Sequence, residues 1–229
     1  MRILFVRHGE PDYEHDCLTP TGHIQAQRAA ERLKDEGISA IYASPQGRAQ
    51  QTASYTAEKT GLPIVTLDFM HEISWGNRDG SPLPHNANPW LLSWDMAERD
   101  GLSLTGPEWR KHPYFEQNIV CDCLDYVSEN IDTWLAGLGY ERRGLRYYTQ
   151  GGNRDTVALF SHGGSSGCVL SHMLNIDLPC MFACFPFGFT SIHCVEMSAE
   201  EGFCVPRMSL FNDMAHLSEK DEQRRVPQR

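Results

Sequence analysis

The chain opens with Met1-Arg2-Ile3-Leu4-Phe5-Val6-Arg7-His8-Gly9-Glu10, and the architecture is organised around this stretch. Ile3–Val6 is a short run of branched and aromatic apolar residues that ends before Gly9, which predicts a strand buried on both faces of a parallel sheet. Open α/β sheets carry their chemistry at the carboxyl ends of such strands. Arg7 and His8 lie at that end and are therefore the first candidates for a functional site.

These residue types suit the binding and transfer of an oxyanion. Arg7 offers a planar guanidinium with parallel N–H donors. His8 offers a ring nitrogen that is neutral, and so nucleophilic, near neutral pH. Gly9 lets the backbone approach closely and frees a carbonyl that can fix the imidazole tautomer. On these three residues alone, a basic strand end with a surface histidine explains the pattern equally well.

Composition restricts the class of protein. With 229 residues, of which 41% are hydrophobic, the chain can form one α/β domain with an insertion. No apolar run approaches the ~20 residues of a membrane span, and the chain begins with a strand rather than a leader, so we expect a cytoplasmic protein without a membrane partner. The net charge of −10 disfavours nucleic acid as a partner. The oligomeric state stays open.

The eight cysteines form no recognisable disulfide or zinc pattern. In a chain of this size without an export signal, buried thiols are expected rather than disulfides. No pair of cysteines has the spacing of a zinc knuckle, so no structural metal is predicted.

Five further strands are predicted after the first, at residues 38–43, 62–67, 156–160, 192–197 and 203–210, and those at 38–43 and 156–160 are expected to be buried. Helices alternate with the earlier strands, because Thr19-Pro20 and Ser44-Pro45 each combine an N-cap residue with proline at the first helical position. Arg48 falls in the first turn of the second helix. There the free backbone N–H groups and the helix dipole already favour an anion.

Glu72 is the candidate for proton transfer. It lies between the apolar residues Met70 and Ile73, and such a setting raises the pKa of a carboxyl group. A loop glutamate in water explains the local sequence as well.

Residues 81 to about 143 break the strand–helix alternation. Asn88-Pro89 and Pro113 predict helix starts, and the second of these helices carries an apolar stripe of the kind used for packing. We interpret the segment as a lid inserted into a single domain of residues 1–217, followed by a disordered tail at 218–229. Its aromatic residues favour a substrate with an apolar or planar part.

Ser161-His162-Gly163-Gly164 follows the strand at 156–160 and again fits a strand, a tight turn and a helix. Two histidines and two arginines thus each follow a buried strand: Arg7, His8, Arg48 and His162. Together they predict a phosphate site, in which the guanidinium groups bind non-bridging oxygens, one imidazole attacks phosphorus and the other donates to a charged oxygen. Glu72 would protonate the leaving oxygen and then activate water.

This pattern resembles the histidine phosphatase superfamily, also called the phosphoglycerate mutase-like family. The family signature is an Arg-His-Gly triplet, present here in Arg7-His8-Gly9-Glu10. Supporting blocks stand in the family's order: Leu18–Gly22 with Gln25-Ala26, Ala43–Pro45 with Arg48-Ala49 and Gln51–Ala53, Glu72 with Gly76 and Gly80, and Ser161–Gly164. The similarity covers roughly residues 1–80 and 155–175, in the small-phosphatase and mutase branch.

The resemblance implies an α/β fold, a three-layer α/β/α sandwich with a mostly parallel sheet and a helical lid insertion. It implies a phosphomonoester hydrolase that acts on a small phosphorylated metabolite through a phosphohistidine at His8, without a metal or another cofactor. It implies five catalytic residues, His8, Glu72, His162, Arg7 and Arg48, and phosphate contacts from Arg7, Arg48, His162 and Gly163.

One loop departs from the family pattern. Many members carry a phosphate-binding asparagine after the first motif, whereas Pro11–Asp16 contains three acids and no asparagine. This disfavours a second strongly anionic group nearby. Phosphoryl transfer between two positions of one metabolite, as in a phosphoglycerate mutase, stays open as the alternative to hydrolysis, because Arg99, Arg110 and Lys111 of the lid could bind an anionic substrate.

Two hypotheses come from other classes of protein. Gly163–Gly167 fits the G-x-S-x-G pattern between a strand and a helix, which would make Ser165 the nucleophile of a serine hydrolase. Acid and base candidates follow it in the order that such an enzyme needs: Asp177, Asp213, His193 and His216. Only about sixty residues follow Ser165, which is little room for the rest of that fold. A binding protein that has lost catalysis is the other hypothesis, and the intact catalytic positions give it no support.

Overall fold

The computed structural model describes residues 1–217 of the chain. In chain order its strands are β1 Arg2–Arg7, β2 Pro11–Asp12, β3 Cys17–Leu18, β4 Ile38–Ala43, β5 Ile64–Thr66, β6 Glu141–Arg143, β7 Arg146–Thr149, β8 Thr156–Ser161, β9 Ile192–Glu196, β10 Gly202–Cys204 and β11 Arg207–Asp213. Its α-helices are α1 Pro20–Leu33, α2 Gly47–Thr60, α3 Pro89–Glu98, α4 Val120–Gly137, α5 Gly163–Leu174 and α6 Leu178–Cys184. Of the helices within residues 1–217, none combines the length and the apolar character needed to span a bilayer.

The main sheet contains six strands in the order β11-β9-β1-β8-β4-β5. The pairs β1–β8, β8–β4 and β4–β5 are parallel, and β9 runs antiparallel to both β1 and β11. The prediction of a mostly parallel sheet is therefore confirmed. Small antiparallel sheets, β10-β7-β6 and β2-β3, lie outside it.

Each face of the main sheet is covered by helices, as strands buried on both faces require. Along β1, Leu4 and Val6 belong to one apolar cluster, which includes Leu33 of α1 and residues of α2. Ile3 and Phe5 belong to a second cluster on the other face, formed with α4, α5 and α6. These two clusters make the protein a three-layer α/β/α sandwich, as the resemblance implied.

The strand register brings the candidate residues to one edge of the sheet. Arg7, the last residue of β1, pairs with Ser161, the last residue of β8, so His8 and His162 follow from neighbouring strand ends. Strand β4 ends on the other side of β8, and its successor Ser44 donates its backbone N–H to the carbonyl of Phe160. The parallel pairing of three strands therefore places the start of α2 beside both histidines.

Several predicted elements have different bounds in the structure, and the two largest differences have a physical reason. The strand predicted at 203–210 is divided into β10 and β11, which belong to different sheets. Pro206 lies between them, and proline cannot donate the hydrogen bond that a continuous ladder needs. The helix predicted from Pro113 begins only at Val120, where the Asn118 side chain accepts the Val120 N–H.

The segment predicted as a lid, residues 81–143, contains α3, α4 and strand β6. The apolar stripe of α4 packs against α5 in the large cluster, which confirms that the stripe serves packing. Helix α3 contacts α6 near the carboxyl edge of the sheet. The tail predicted to be disordered, residues 218–229, lies outside the described residues.

Candidate active site

Arg7, His8, Arg48 and His162 meet at the carboxyl edge of the sheet, and all four side chains are buried. The His8 and His162 ring centroids are 5.1 Å apart. Each residue contributes one buried nitrogen without a hydrogen-bond partner in the described chain: Arg7 Nε, His8 Nε2, Arg48 Nε and His162 Nδ1. An unpaired buried polar atom costs about 1–3 kcal/mol, so four of them in one place indicate a binding site for a group rich in oxygen acceptors.

His8 has the geometry of a nucleophile. Its Nδ1 lies 2.7 Å from the Gly9 carbonyl oxygen, which can only accept, so Nδ1 carries the proton. Nε2 then holds a lone pair, and this buried atom has no hydrogen-bond partner among the described residues. Burial, together with the nearby Arg7 guanidinium, lowers the pKa of His8 well below its usual value, which keeps the ring neutral. The role that the sequence suggested for the Gly9 carbonyl matches this contact.

The two arginines are fixed by contacts that the sequence did not indicate. Arg7 donates to the backbone carbonyl of Phe187 at 2.5 Å. Arg48 donates to one carboxylate oxygen of Asp16 at 2.5 Å, and the other oxygen accepts the Gly47 N–H at 2.7 Å. Asp16 is one of the three acids in the loop that lacks the family's asparagine. In this chain the Asp16 carboxylate orients Arg48, whose buried Nε atom has no hydrogen-bond partner among the described residues.

His162 is oriented by Ser44. The Ser44 hydroxyl lies 2.8 Å from His162 Nε2 and also accepts the Gln46 N–H at 3.3 Å. When Ser44 donates to Nε2, the proton of His162 lies on Nδ1, a buried atom that has no hydrogen-bond partner among the described residues. Burial is the main reason that the pKa of His162 falls to about 2, with Arg48 and Arg7 acting in the same direction.

Replacing Ser44 with alanine is expected to lower kcat about 10- to 100-fold, because the His162 tautomer that donates to phosphate loses its support. Ser44→Cys retains a weak donor of similar size and should give an intermediate kcat. The check is steady-state kinetics of phosphate release, with circular dichroism to confirm folding. An alanine variant with the kcat of the wild type would contradict the positioning role of Ser44.

Glu72 lies in the loop between β5 and α3, at the N-terminus of α5. Its Oε1 atom accepts the N–H of Ile73 at 3.0 Å and the N–H of Ser165 at 3.2 Å, which leaves Oε2 as the oxygen that can carry a proton. Burial raises the pKa of Glu72, and it outweighs the opposing effects of these hydrogen bonds and of Arg7. The sequence-based expectation of a raised pKa agrees with this environment.

Gly164 makes this placement of Glu72 possible. A Cβ atom on Gly164 would lie 2.3 Å from Ile73 Cγ1 and 2.5 Å from Glu72 Oε1, so only glycine lets the loop approach α5. The neighbouring Gly163 lies beside the Arg7 side chain, and its backbone N–H belongs to the first helical turn, where the chain supplies no helical acceptor. The Gln46 side chain accepts the Glu72 N–H at 2.7 Å and holds the loop from α2.

In the part of the chain that the structure describes, hydrogen bonds do not join the Ser165 hydroxyl to a histidine and an acid, which the serine hydrolase hypothesis requires. The Ser165 hydroxyl is buried and has no hydrogen-bond partner within the described residues. The four acid and base candidates contact other groups: His193 with Ser191, His216 with Thr190, Asp177 with Trp109 and Asp213 with Arg32. Within residues 1–217, no group of three or more His, Cys, Asp and Glu side chains is arranged to hold a metal ion.

Comparison with known proteins places the chain in a family. The family model of the histidine phosphatase superfamily (branch 1) matches residues 3–110. A probable phosphoglycerate mutase GpmB of Yersinia enterocolitica is 33% identical over 185 residues, which are 77% of this chain and 76% of that protein.

Solved structures of the same fold cover nearly the whole chain. Phosphoserine phosphatase from Entamoeba histolytica, in a mutant form in complex with phosphoserine, is 17% identical with a TM-score of 0.60 over 95% of this chain and 99% of that one. Mycobacterial glucosyl-3-phosphoglycerate phosphatase with inorganic phosphate is 22% identical with a TM-score of 0.63 over 95% and 99%. These similarities confirm the fold. With the family match and the Yersinia relative, they lead to one conclusion: the chain belongs to the histidine phosphatase superfamily.

Proposed function

We propose that the protein hydrolyses phosphate monoesters of a small metabolite through a phosphohistidine at His8. One observation carries this proposal: four nitrogens without hydrogen-bond partners among the described residues, from Arg7, His8, Arg48 and His162, are buried together at the carboxyl edge of the sheet. A phosphoryl group offers three non-bridging oxygens, and the three nitrogens that carry hydrogen can donate to them. The fourth, His8 Nε2, carries a lone pair and is the nucleophile.

In the first step, the His8 Nε2 lone pair forms a bond to phosphorus while the bond from phosphorus to the ester oxygen breaks. The electron pair of that bond passes to the leaving oxygen, which takes the proton from Glu72 Oε2. Arg7, Arg48 and His162 donate to the equatorial oxygens, where charge is held in the transition state. The Gly163 N–H, at the start of α5, adds a further donor.

In the second step, the Glu72 carboxylate accepts a proton from water as the water oxygen attacks phosphorus. The bond between phosphorus and Nε2 breaks, and its electron pair returns to His8. Inorganic phosphate leaves, and Glu72 is protonated again for the next turnover. The raised pKa of Glu72 supports its use as an acid in one step and a base in the other.

The lid cations favour hydrolysis over the mutase alternative. A mutase must hold an anionic substrate in two orientations, yet the three lid cations that were candidates for this role are paired on the protein itself: Arg99 with Asp95 at 3.1 Å, Arg110 with Asp125 at 2.6 Å and Lys111 with Glu108 at 3.0 Å. None of them lines the cavity beside the phosphate pocket. The name of the Yersinia relative nevertheless makes the mutase reaction the necessary comparison.

The test is a phosphate-release assay on a panel of monoesters that includes 3-phosphoglycerate, with isomer interconversion followed in the same samples. Release that disappears in a His8→Ala variant is the expected result. Interconversion without release would instead make the protein a mutase. The activity is also expected to persist in EDTA and to be inhibited by vanadate, and complete loss in EDTA would contradict the mechanism.

A cytoplasmic location and the absence of nucleic-acid and membrane partners belong to the same proposal, and so does a lid function for residues 81–143. The eight cysteines all lie within residues 1–217 and are free thiols, which supports a reducing compartment. The net charge of −10 supports the exclusion of polyanionic partners.

A further inference from the structure

A cavity of about 520 Å³ opens from the phosphate pocket, a volume typical of small-molecule sites. Arg7, Glu72 and Gly163 form the end that meets the phosphate. The remaining wall is mostly apolar and aromatic: Trp75, Trp90, Leu91, Trp94, Phe182 and Phe187. The leaving alcohol of any bound ester must therefore lie against these side chains.

The aromatic wall comes from parts of the chain that are far apart in sequence. Trp90 of α3 stacks on Phe182 of α6 with ring centroids 4.4 Å apart, and Trp75 meets Trp90 edge to face at 5.7 Å. Packing of α3 on α6 holds the first pair, so the wall is formed before any ligand binds. A ring inserted here gains contact area without ordering the protein.

Beyond its phosphate end, the described lining of the cavity offers no positive charge to a second anionic group. Among the described residues that line it, Arg7 is the only lysine, arginine or histidine, and Arg7 belongs to the phosphate end. The polar lining consists chiefly of Tyr13 and Asn88. Asn88 Oδ1 accepts the N–H groups of Trp90 and Leu91, so only its amide N–H groups remain for a ligand. A carboxylate placed here would lose its hydration without gaining a cation.

We propose that the substrate is the phosphate monoester of a bulky apolar alcohol, ring-containing and aromatic in character, with the phosphate as its only charged group. This inference rests on the proposed function and specifies its substrate class. The reaction is the hydrolysis described above: the P–O bond to the apolar alcohol breaks, and Glu72 protonates the oxygen that leaves. Phosphorylated acids such as 3-phosphoglycerate are poor substrates.

The test compares three esters that all release alkyl alcohols: 3-phenylpropyl phosphate, propyl phosphate and 3-phosphoglycerate. The first two esters release primary alcohols of similar basicity. The ratio of their kcat/KM values therefore reports binding of the ring rather than the ease of bond cleavage. Burial of the phenyl ring is expected to raise kcat/KM about tenfold or more over propyl phosphate. The phosphorylated acid should react with a lower kcat/KM than propyl phosphate.

Variants test whether side chains of the cavity cause the preference for phenylpropyl phosphate over propyl phosphate. Trp75 is 36% exposed, so Trp75→Ala removes part of the wall at little risk to folding, and it should lower the ratio of phenylpropyl to propyl about three- to tenfold. Phe203→Ala truncates an exposed aromatic residue of β10 outside the cavity, and it should leave this ratio unchanged. Leu91→Lys places a cation in the wall and should shift the preference toward 3-phosphoglycerate.

The outcomes separate this inference from the proposed function. Release that depends on His8 but is equal for phenylpropyl and propyl phosphate, or best for 3-phosphoglycerate, would overturn the substrate class and leave the hydrolase intact. No His8-dependent release from any ester would overturn the hydrolase. In that case, calorimetry on the His8→Ala variant tests the proposed substrate class. Tighter binding of phenylpropyl phosphate than of propyl phosphate would support this class, and equal binding would overturn it.

Discussion

Replacing His8 with alanine is expected to reduce phosphate release by about 10³-fold or more, because the nucleophile is lost and water must attack phosphorus directly. In the wild type, acid-sensitive phosphohistidine should accumulate on rapid quenching with a labelled ester. In the variant this label should be absent. Quench-flow labelling followed by peptide mapping checks both the amount of label and its position.

The control for this substitution is His15→Ala. The His15 side chain is 68% exposed and contacts Asp12 in the hairpin loop, so the variant removes an imidazole without emptying the pocket. It should label and turn over like the wild type. Label that persists in His8→Ala, or that maps to another residue, would assign the covalent step elsewhere in the chain.

Replacing Glu72 with glutamine is expected to lower kcat about 10²- to 10⁴-fold for alkyl phosphates, since the leaving oxygen no longer receives a proton. The loss should be smaller for 4-nitrophenyl phosphate, whose leaving group is stable as an anion. Glu58→Gln changes an exposed glutamate of α2 and is the matched control. Equal losses for both kinds of ester would contradict a role for Glu72 as an acid.

The pH dependence provides a second check on Glu72. Because burial raises its pKa, the carboxyl stays protonated above the usual range, and kcat/KM should fall as pH rises through that raised value. The pKa of His8 is lowered, so its neutral form persists as pH falls below 6.5. In Glu72→Gln, the alkaline fall due to Glu72 should disappear. Ionisation of the substrate is common to both enzymes and cancels in the comparison.

The four residues of the proposed phosphate pocket could be predicted from the sequence because each belongs to a local pattern. Arg7 ends a buried strand and His8 follows it, His162 follows another strand, and Arg48 lies in the first turn of the helix after a third. Parallel pairing then brings such ends to one edge of the sheet, so local order is enough to predict their meeting. The division of 203–210 into β10 and β11 has a local signal in Pro206, but the sheet that each half joins depends on long-range pairing.

The contacts that orient the side chains of the site could not be predicted from the sequence. Ser44 appeared in the sequence as a helix cap, yet its hydroxyl serves His162, which lies 118 residues away in the chain. Asp16 appeared as one of three acids that disfavour a second anionic group nearby, yet its carboxylate holds Arg48. A hydrogen bond across such a separation leaves no periodic or compositional trace, and it becomes visible only when two strand ends lie side by side.

Short segments of the sequence were enough to establish the fold class and the family and to point to the residues of the proposed pocket, because strand burial, helix capping and the Arg-His-Gly triplet are local properties. What surrounds the leaving alcohol depends instead on the folded chain. Trp75, Trp90 and Phe182 come from a loop, α3 and α6, and nothing in their spacing joins them. They form one wall because α3 packs on α6 at the edge of the sheet, so the character of this cavity is a consequence of long-range packing.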